Sequence, residues 1–360
     1  MLRRDTTHNN TNIAKLSGNS LQQNINILSH DFIIKFKKLS HYYANFHIIF
    51  ISIGICLILA TLLFFSFFSK SFWSGFLIGF VFFIGFLYFV LYFYFQAKKP
   101  QQFIDIKKEF HDSCEKVITD TKGSLNYFLK TSFCLSNLAG QLNELEGSFY
   151  PIPERFQTLA PLLKKFSIWM HWKDLLKMKE LLLLSSINET VALVKTLPTD
   201  TEAHANLANG YIALSKIYIS PVLLNEKSNL NWISPEYQSK EILAKFHLAC
   251  DRAIEELKIL NEYSPQDPWV HKQLAEIYHS KGCPELEIKE YEHLLKVENF
   301  DKKILFRLGV LYFEQGHNSK GLKVYEQIKL EDEGLAEELI KHYDSFQFHE
   351  ISIESLSSSV

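Results

Sequence analysis

The chain has 360 residues, of which 47% are hydrophobic, 14% aromatic and 22% charged, with a formal net charge of −2. Half of its 30 Phe lie between Phe46 and Phe95, a window whose one charged residue is Lys70, and the rest of the chain has ordinary soluble composition. This split excludes a simple cytosolic globular enzyme, a disordered chain and a many-pass transporter, and the lack of a basic excess argues against a nucleic-acid partner.

Residues 1–24 are rich in Asn, Thr, Ser and Gln and predict a disordered amino-terminal arm. From Ile25 the residues Ile25, Leu28, Phe32, Phe36, Leu39 and Tyr43 recur at helical spacing beside Lys35, Lys37 and Lys38. They predict a basic amphipathic juxtamembrane helix over 25–46, either lying on anionic headgroups or simply continuing the span that follows. Residues 47–68 and 72–95 contain no Asp, Glu, Lys or Arg. About 20 apolar residues cross a bilayer core as helix, so these are two transmembrane helices with a minimal turn between them. Tyr42, Tyr43, Trp73, Tyr92 and Tyr94 stand at their ends as interface anchors. The lysines before the first span and Lys98, Lys99, Lys107 and Lys108 after the second put both termini on the cytoplasmic face. Ala60, Gly75 and Gly79 are small enough for close helix packing, within the hairpin or at a homo-oligomer face.

Residues 100–200 predict a helical linker of irregular repeats. Phe103, Ile106, Phe110, Cys114 and Val117 form one stripe; Leu125, Phe128, Leu135, Leu138, Leu142 and Leu145 form the next. Gly123-Ser124 should end one helix and cap its successor. Five scattered Cys, none in a C-x-x-C pair, read as reduced structural thiols.

A period of about 34 residues governs the carboxy-terminal half. Leu274-Ala275-x-x-Tyr278-x-x-x-Gly282 returns as Leu308-Gly309-x-x-Tyr312-x-x-x-Gly316. Leu207-Ala208-x-x-Tyr211 opens an earlier copy, completed by Ala253, Leu257, Leu260 and Pro265 after an insertion over 217–238. The pattern resembles the tetratricopeptide repeat (TPR), a helix-turn-helix unit of the same period. The resemblance implies an all-α fold: a two-helix transmembrane hairpin followed by a TPR-like solenoid over 201–335, with units 201–267, 268–301 and 302–335. A capping helix and an acidic, Ser-rich tail fill 336–360. The usual Trp of the first helix is absent; His204, His271 and Leu305 hold its place.

In that family the first helices line a groove that binds a protein or peptide partner, without catalysis. By alignment the groove here would present Asn209, Trp269, Lys272, Glu276, Lys303, Phe306, Arg307, Val310 and Phe313. Lys303, Arg307 and Asn209 also fall on three of five positions of a carboxylate clamp, with Ala205 and Gln273 at the other two. No metal, cofactor or catalytic motif is found, and His171, His204, His271, His279 and His293 are isolated packing or surface residues. The expected protein is a membrane-anchored TPR-like scaffold at the cytoplasmic face, with an enzyme bearing an unrecognised helical site as a remote alternative. The hairpin layout also resembles chlamydial-type inclusion membrane proteins, which implies a type III secreted effector facing the host cytosol. A bacterial inner membrane ranks ahead of a host inclusion membrane as the address.

Overall fold

A computed structural model describes residues 5–68, 72–145, 147–150, 157–158, 160–219, 239–297 and 301–343. The predicted hairpin turn at Lys70, most of the 217–238 insertion and the acidic tail past Tyr343 lie outside them. No strand occurs among the described residues. The chain divides into Met1–Pro198 with Lys216–Leu243, and Thr199–Ser215 with Ala244–Val360.

The first unit holds α1 (Asp5–Phe68), α2 (Phe72–Val117), α3 (Leu125–Gln141), a 3-10 turn (Leu142–Leu145) and α4 (Ala160–Thr196). Helices α1 and α2 contain stretches long and apolar enough to cross a membrane. Their outward side chains, such as Leu63, Phe82, Phe86 and Phe93, are exposed. The two helices pair antiparallel well beyond the apolar stretches. Phe46 meets Phe95, Phe36 meets Phe103, and Phe32 meets Phe110, at ring separations of 4.7, 5.6 and 5.4 Å.

This pairing decides between the two readings of residues 25–46: the helix continues the apolar stretch that follows it. The α1 stripe does not lie on headgroups: Ile25, Phe32, Phe36 and Tyr43 are buried in protein, alongside Phe103 and Phe110 of α2. Periodicity marks an apolar face but does not say what covers it. Helix α1 also begins at Asp5, inside the stretch whose composition predicts no order. Adding a residue to an existing helix costs far less than nucleating one. Pro100 sits inside α2, removing one backbone donor without ending the helix.

Gly123 has φ 88°, and the Ser124 hydroxyl accepts from the Tyr127 N–H, as the sequence predicts. Helices α3 and α4 pack antiparallel through buried leucines and a set of hydroxyls: Ser132 Oγ lies 2.7 Å from Ser186 Oγ and 3.0 Å from Thr190 Oγ1.

The second unit contains most of α5 (Thr201–Tyr218) and α6 (Lys240–Tyr263), then α7 (Pro268–Lys281), α8 (Pro284–Val297), α9 (Lys302–Glu314), α10 (Asn318–Lys329) and α11 (Glu333–Ile340). The sequence period is repeated in its backbone. Asp267 and Asp301, one period apart, each accept from the N–H two positions on, both at 2.9 Å. Asp200 does the same for Glu202 at the start of α5. Gly282 and Gly316, also one period apart, have φ 69° and 75°. After each glycine the next N–H bonds back to the repeat tyrosine carbonyl, Cys283 to Tyr278 and His317 to Tyr312. That left-handed stop strongly favours glycine. The unit is therefore a helix-turn-helix repeat, closed by α11.

Small residues set the helix spacing. A Cβ on Gly321 of α10 would stand 2.4 Å from the Phe313 ring, and one on Gly309 would stand 2.8 Å from Leu339. Phe313 is fully buried, so its ring has no free space to move into. Gly321→Ala should cost about 1–3 kcal/mol in a urea melt by overpacking. Adding Phe313→Leu should restore part of the loss; an unaffected single variant would contradict the close approach.

Candidate protein-binding surface

The predicted groove positions fall into three groups. Asn209, Lys272 and Lys303 are exposed, while Trp269, Glu276, Phe306 and Arg307 are half-buried. Val310 and Phe313 are buried in the core of the last repeat. The Phe313 ring packs edge-on against Tyr343 at 5.6 Å, and the half-buried Phe306 faces His342 at 6.4 Å. The residues after α11 therefore cover the α9 face that the alignment assigns to the groove. Val310 and Phe313 are core residues, which corrects their assignment to an open surface.

Arg307 is also committed. Its Nε donates to Glu287 Oε1 at 3.0 Å, and its Nη2 lies 2.8 Å from His279 Nδ1. Glu287 is only 2% exposed. Burial by itself would raise its carboxyl, but hydrogen bonds from His279 and Arg307 outweigh burial and hold it below the usual carboxylate value. A guanidinium neutralising a buried carboxylate is poorly placed to grip a ligand carboxylate. Lys272 and Lys303 make no ion pair among the described residues, so they are the free cations of this face.

The missing repeat Trp has a structural answer that sequence reasoning did not reach. His204 Nδ1 lies 2.7 Å from Glu256, and His271 Nδ1 lies 2.7 Å from Glu290, with the Pro265 carbonyl 3.0 Å from His271 Nε2. Glu256 and Glu290 are themselves one period apart. One period further on, Leu305 and Val324 occupy the same places and are both core residues. A buried His–Glu pair thus fills two units where an apolar pair fills the third. Burial pushes His271 down, yet Glu290 and the Pro265 carbonyl together hold it above the ordinary imidazole value. The signal was in the sequence: an acid recurs at the repeat distance opposite each histidine.

A second feature escaped the sequence. A groove of about 630 Å³ opens between α8, α9 and α10, floored by Leu295, Leu305 and Leu308 and edged by Lys296 and Lys323.

In the first unit a buried polar chain ties the hairpin to α4. Tyr150 Oη lies 3.1 Å from His171 Nε2, His171 Nδ1 lies 2.8 Å from Ser40 Oγ, and Ser40 donates to Asp174 Oδ2 at 2.6 Å. Lys99 closes the chain on Asp174 Oδ1 at 2.5 Å. Because Ser40 donates to Asp174, His171 Nδ1–H donates to Ser40, and in the neutral imidazole Nε2 accepts from Tyr150. Burial, then His41 and Lys99, push His171 down to about 3. Ser, His and Asp here do not form a nucleophile. The hydroxyl donates to the carboxylate and accepts from the imidazole, the reverse of an activated serine, and all three are buried.

No family model and no curated protein matches the chain. Among solved structures it is similar to a thermophilic TPR protein of Thermus thermophilus. The identity is 13%, the match covers 68% of this chain and 98% of that one, and the TM-score is 0.29. The repeat architecture rests on the recurring caps, glycines and helix pairs described above rather than on that likeness.

Proposed function

We propose that this protein is a membrane-anchored, non-enzymatic scaffold whose TPR-like unit recruits a protein or peptide partner at the cytoplasmic face. The domain limits are those of the sequence reading, with the α1–α2 hairpin as anchor. The observation that carries the reading is the exposed first-helix face bearing Asn209, Lys272 and Lys303, in a chain whose α1 and α2 present uncovered apolar surface. Two exposed lysines with no ion pair among the described residues, and Trp269 at the register of Lys303 one repeat earlier, suit an acidic segment or a free carboxylate. Anchoring raises the local concentration of whatever is bound without adding contacts. Ala60, Gly75 and Gly79 would serve hairpin packing or association of two copies within the bilayer.

The test uses the full chain in nanodiscs and an acidic peptide library. Lys272→Glu with Lys303→Glu should lose captured peptide by about tenfold or more, as two cations become repulsive. Far-ultraviolet helicity should stay unchanged, because neither lysine holds a structural pair. Equal capture by the variant would show that the binding surface lies elsewhere on the unit. For topology, a cysteine at position 70 should react with an impermeant thiol reagent from outside intact cells. Reaction only after permeabilisation would reverse the orientation.

A further inference from the structure

Helix α4 bears exposed apolar side chains that neither the repeat unit nor the polar chain explains. Leu162 is 65% exposed and Trp169 is 55% exposed. Phe166 lies between them, its ring 6.2 Å from Trp169 and 5.6 Å from Tyr150. From Ala160 to Lys173 the helix has no acid, and Lys164 and Lys165 are exposed.

The direction of α4 gives this patch a location. Lys99 pairs with Asp174, Lys107 donates to Ser185, and His111 lies 3.4 Å from Glu189. The order is the same on both helices, so α2 and α4 run parallel and both lead away from the apolar spans. Descending α4 from Asp174 therefore leads back along α2 from Lys99 toward Phe95 and Tyr92. At 1.5 Å per residue, Trp169 lies about 7 Å and Leu162 about 18 Å below Asp174, while Phe95 lies about 6 Å below Lys99. Trp169 is then level with the end of the second span, and Leu162 is level with its interior. Helix α3 packs antiparallel to α4; after it, Phe149 stacks on His171 and Tyr150 meets His41 edge-on.

We propose that the amino-terminal part of α4 is a membrane anchor. Trp169 is seated at the headgroup–acyl boundary of the same bilayer that α1 and α2 cross, and Phe166 and Leu162 reach into its acyl layer. This inference rests on the membrane reading of that hairpin. The chemistry suits the position: aromatic and aliphatic side chains enter the apolar layer, the Lys164 stem lies against Gly147, and the exposed Lys165 extends its stem to carry its charge to anionic headgroups. Such an anchor on α4 would fix the tilt of the helices packed with it against the bilayer, as two spans joined by a tight turn cannot do alone.

The full chain is reconstituted in vesicles of phosphatidylcholine and phosphatidylglycerol. It carries Cys56→Ala and Cys283→Ala, leaving three buried cysteines. A nitroxide is attached in turn at Leu162→Cys, Trp169→Cys, Leu184→Cys and Phe86→Cys, all exposed positions. Collisions with oxygen and with a water-soluble nickel chelate report depth. Labels at 162 and 169 should lose most nickel collisions and gain oxygen collisions, approaching the label at 86. The label at 184, on the same helix about 22 Å further from the bilayer, should stay open to nickel. Labels at 162 and 169 as open to nickel as 184, with 86 still shielded, overturn the proposal alone. A label at 86 open to nickel overturns the membrane reading and the anchor together.

Discussion

Replacing Asp174 by Leu should cost about 3–5 kcal/mol, the largest loss expected from a single substitution in the first unit. Asp174 receives Lys99 on one oxygen and Ser40 on the other, and its side chain is 8% exposed. Without it the Lys99 ammonium keeps only the faces of Tyr43 and Phe103, at 5.0 and 5.8 Å. Such contacts return about 0.5–2 kcal/mol, less than the half-buried ammonium loses with its carboxylate. Ser40 loses its acceptor at the same time, so the hydrogen-bond chain from Tyr150 ends on an unsatisfied hydroxyl. Denaturant melts of the chain in nanodiscs, with Leu184→Cys spin-label mobility as the local probe, would follow the release of α4. The double variant Lys99→Met with Asp174→Leu should recover much of the loss, since an apolar pair of similar size needs no partner. A single-variant loss below about 1 kcal/mol would mean that the pair behaves like a solvated surface bridge.

Acid should destabilise the first unit through His171. The unfolded imidazole titrates near 6.5, and the folded one only at about 3. The folded state thus binds fewer protons throughout that window. The full stability is present above the unfolded value and is lost as the pH falls toward the folded one. The slope approaches about 1.4 kcal/mol per pH unit inside the window, so the total is on the order of several kcal/mol. His41 and Ser40 on α1, Lys99 on α2, Asp174 on α4 and Tyr150 at the turn are the polar and titrating groups that face the ring. Tyr150 can accept the extra proton's bond, so the penalty on the charged ring comes from burial first and then from His41 and Lys99. His171→Gln should flatten the difference between melts at pH 7 and pH 4, even if it lowers stability at both. The same pH dependence in the variant would assign the acid response to carboxylates instead. His271 has the opposite sign. Its folded value is raised, so its contribution is complete below the unfolded value and fades as pH rises through the folded one. Acid unfolding should therefore begin in the first unit.

Much of the architecture was legible because it is local in the chain. Two uncharged runs, each of roughly 20 residues or more, give helices long and apolar enough to cross a bilayer. The Ser124 cap and the left-handed glycines at 123, 282 and 316 are backbone needs that few residue types meet. The periodic recurrence of Leu, Tyr and Gly predicts the helix pairs, and the Asp caps at the same period appear only in the structure. What covers each apolar face was not legible. The stripe on α1 is filled by α2. The α9 positions Val310 and Phe313, set facing a groove by register alone, are buried by the chain that follows them. The capping helix begins at Glu333, where Asp332 takes the Leu335 N–H, slightly ahead of the expected 336.

The sequence by itself determined the helices, the membrane-length hairpin and the repeat period, since each follows from neighbours a few residues apart. The tertiary structure alone decided which charges are free and which are committed. Arg307 and Lys303 share one helix face and look equivalent in sequence, yet a buried glutamate from the preceding helix holds only the first. Ser40, Lys99, Tyr150, His171 and Asp174 come from four distant segments, and no spacing relates them. Burial makes them interdependent, because in a dry interior each polar group must find its partner among whatever the fold brings within about 3 Å.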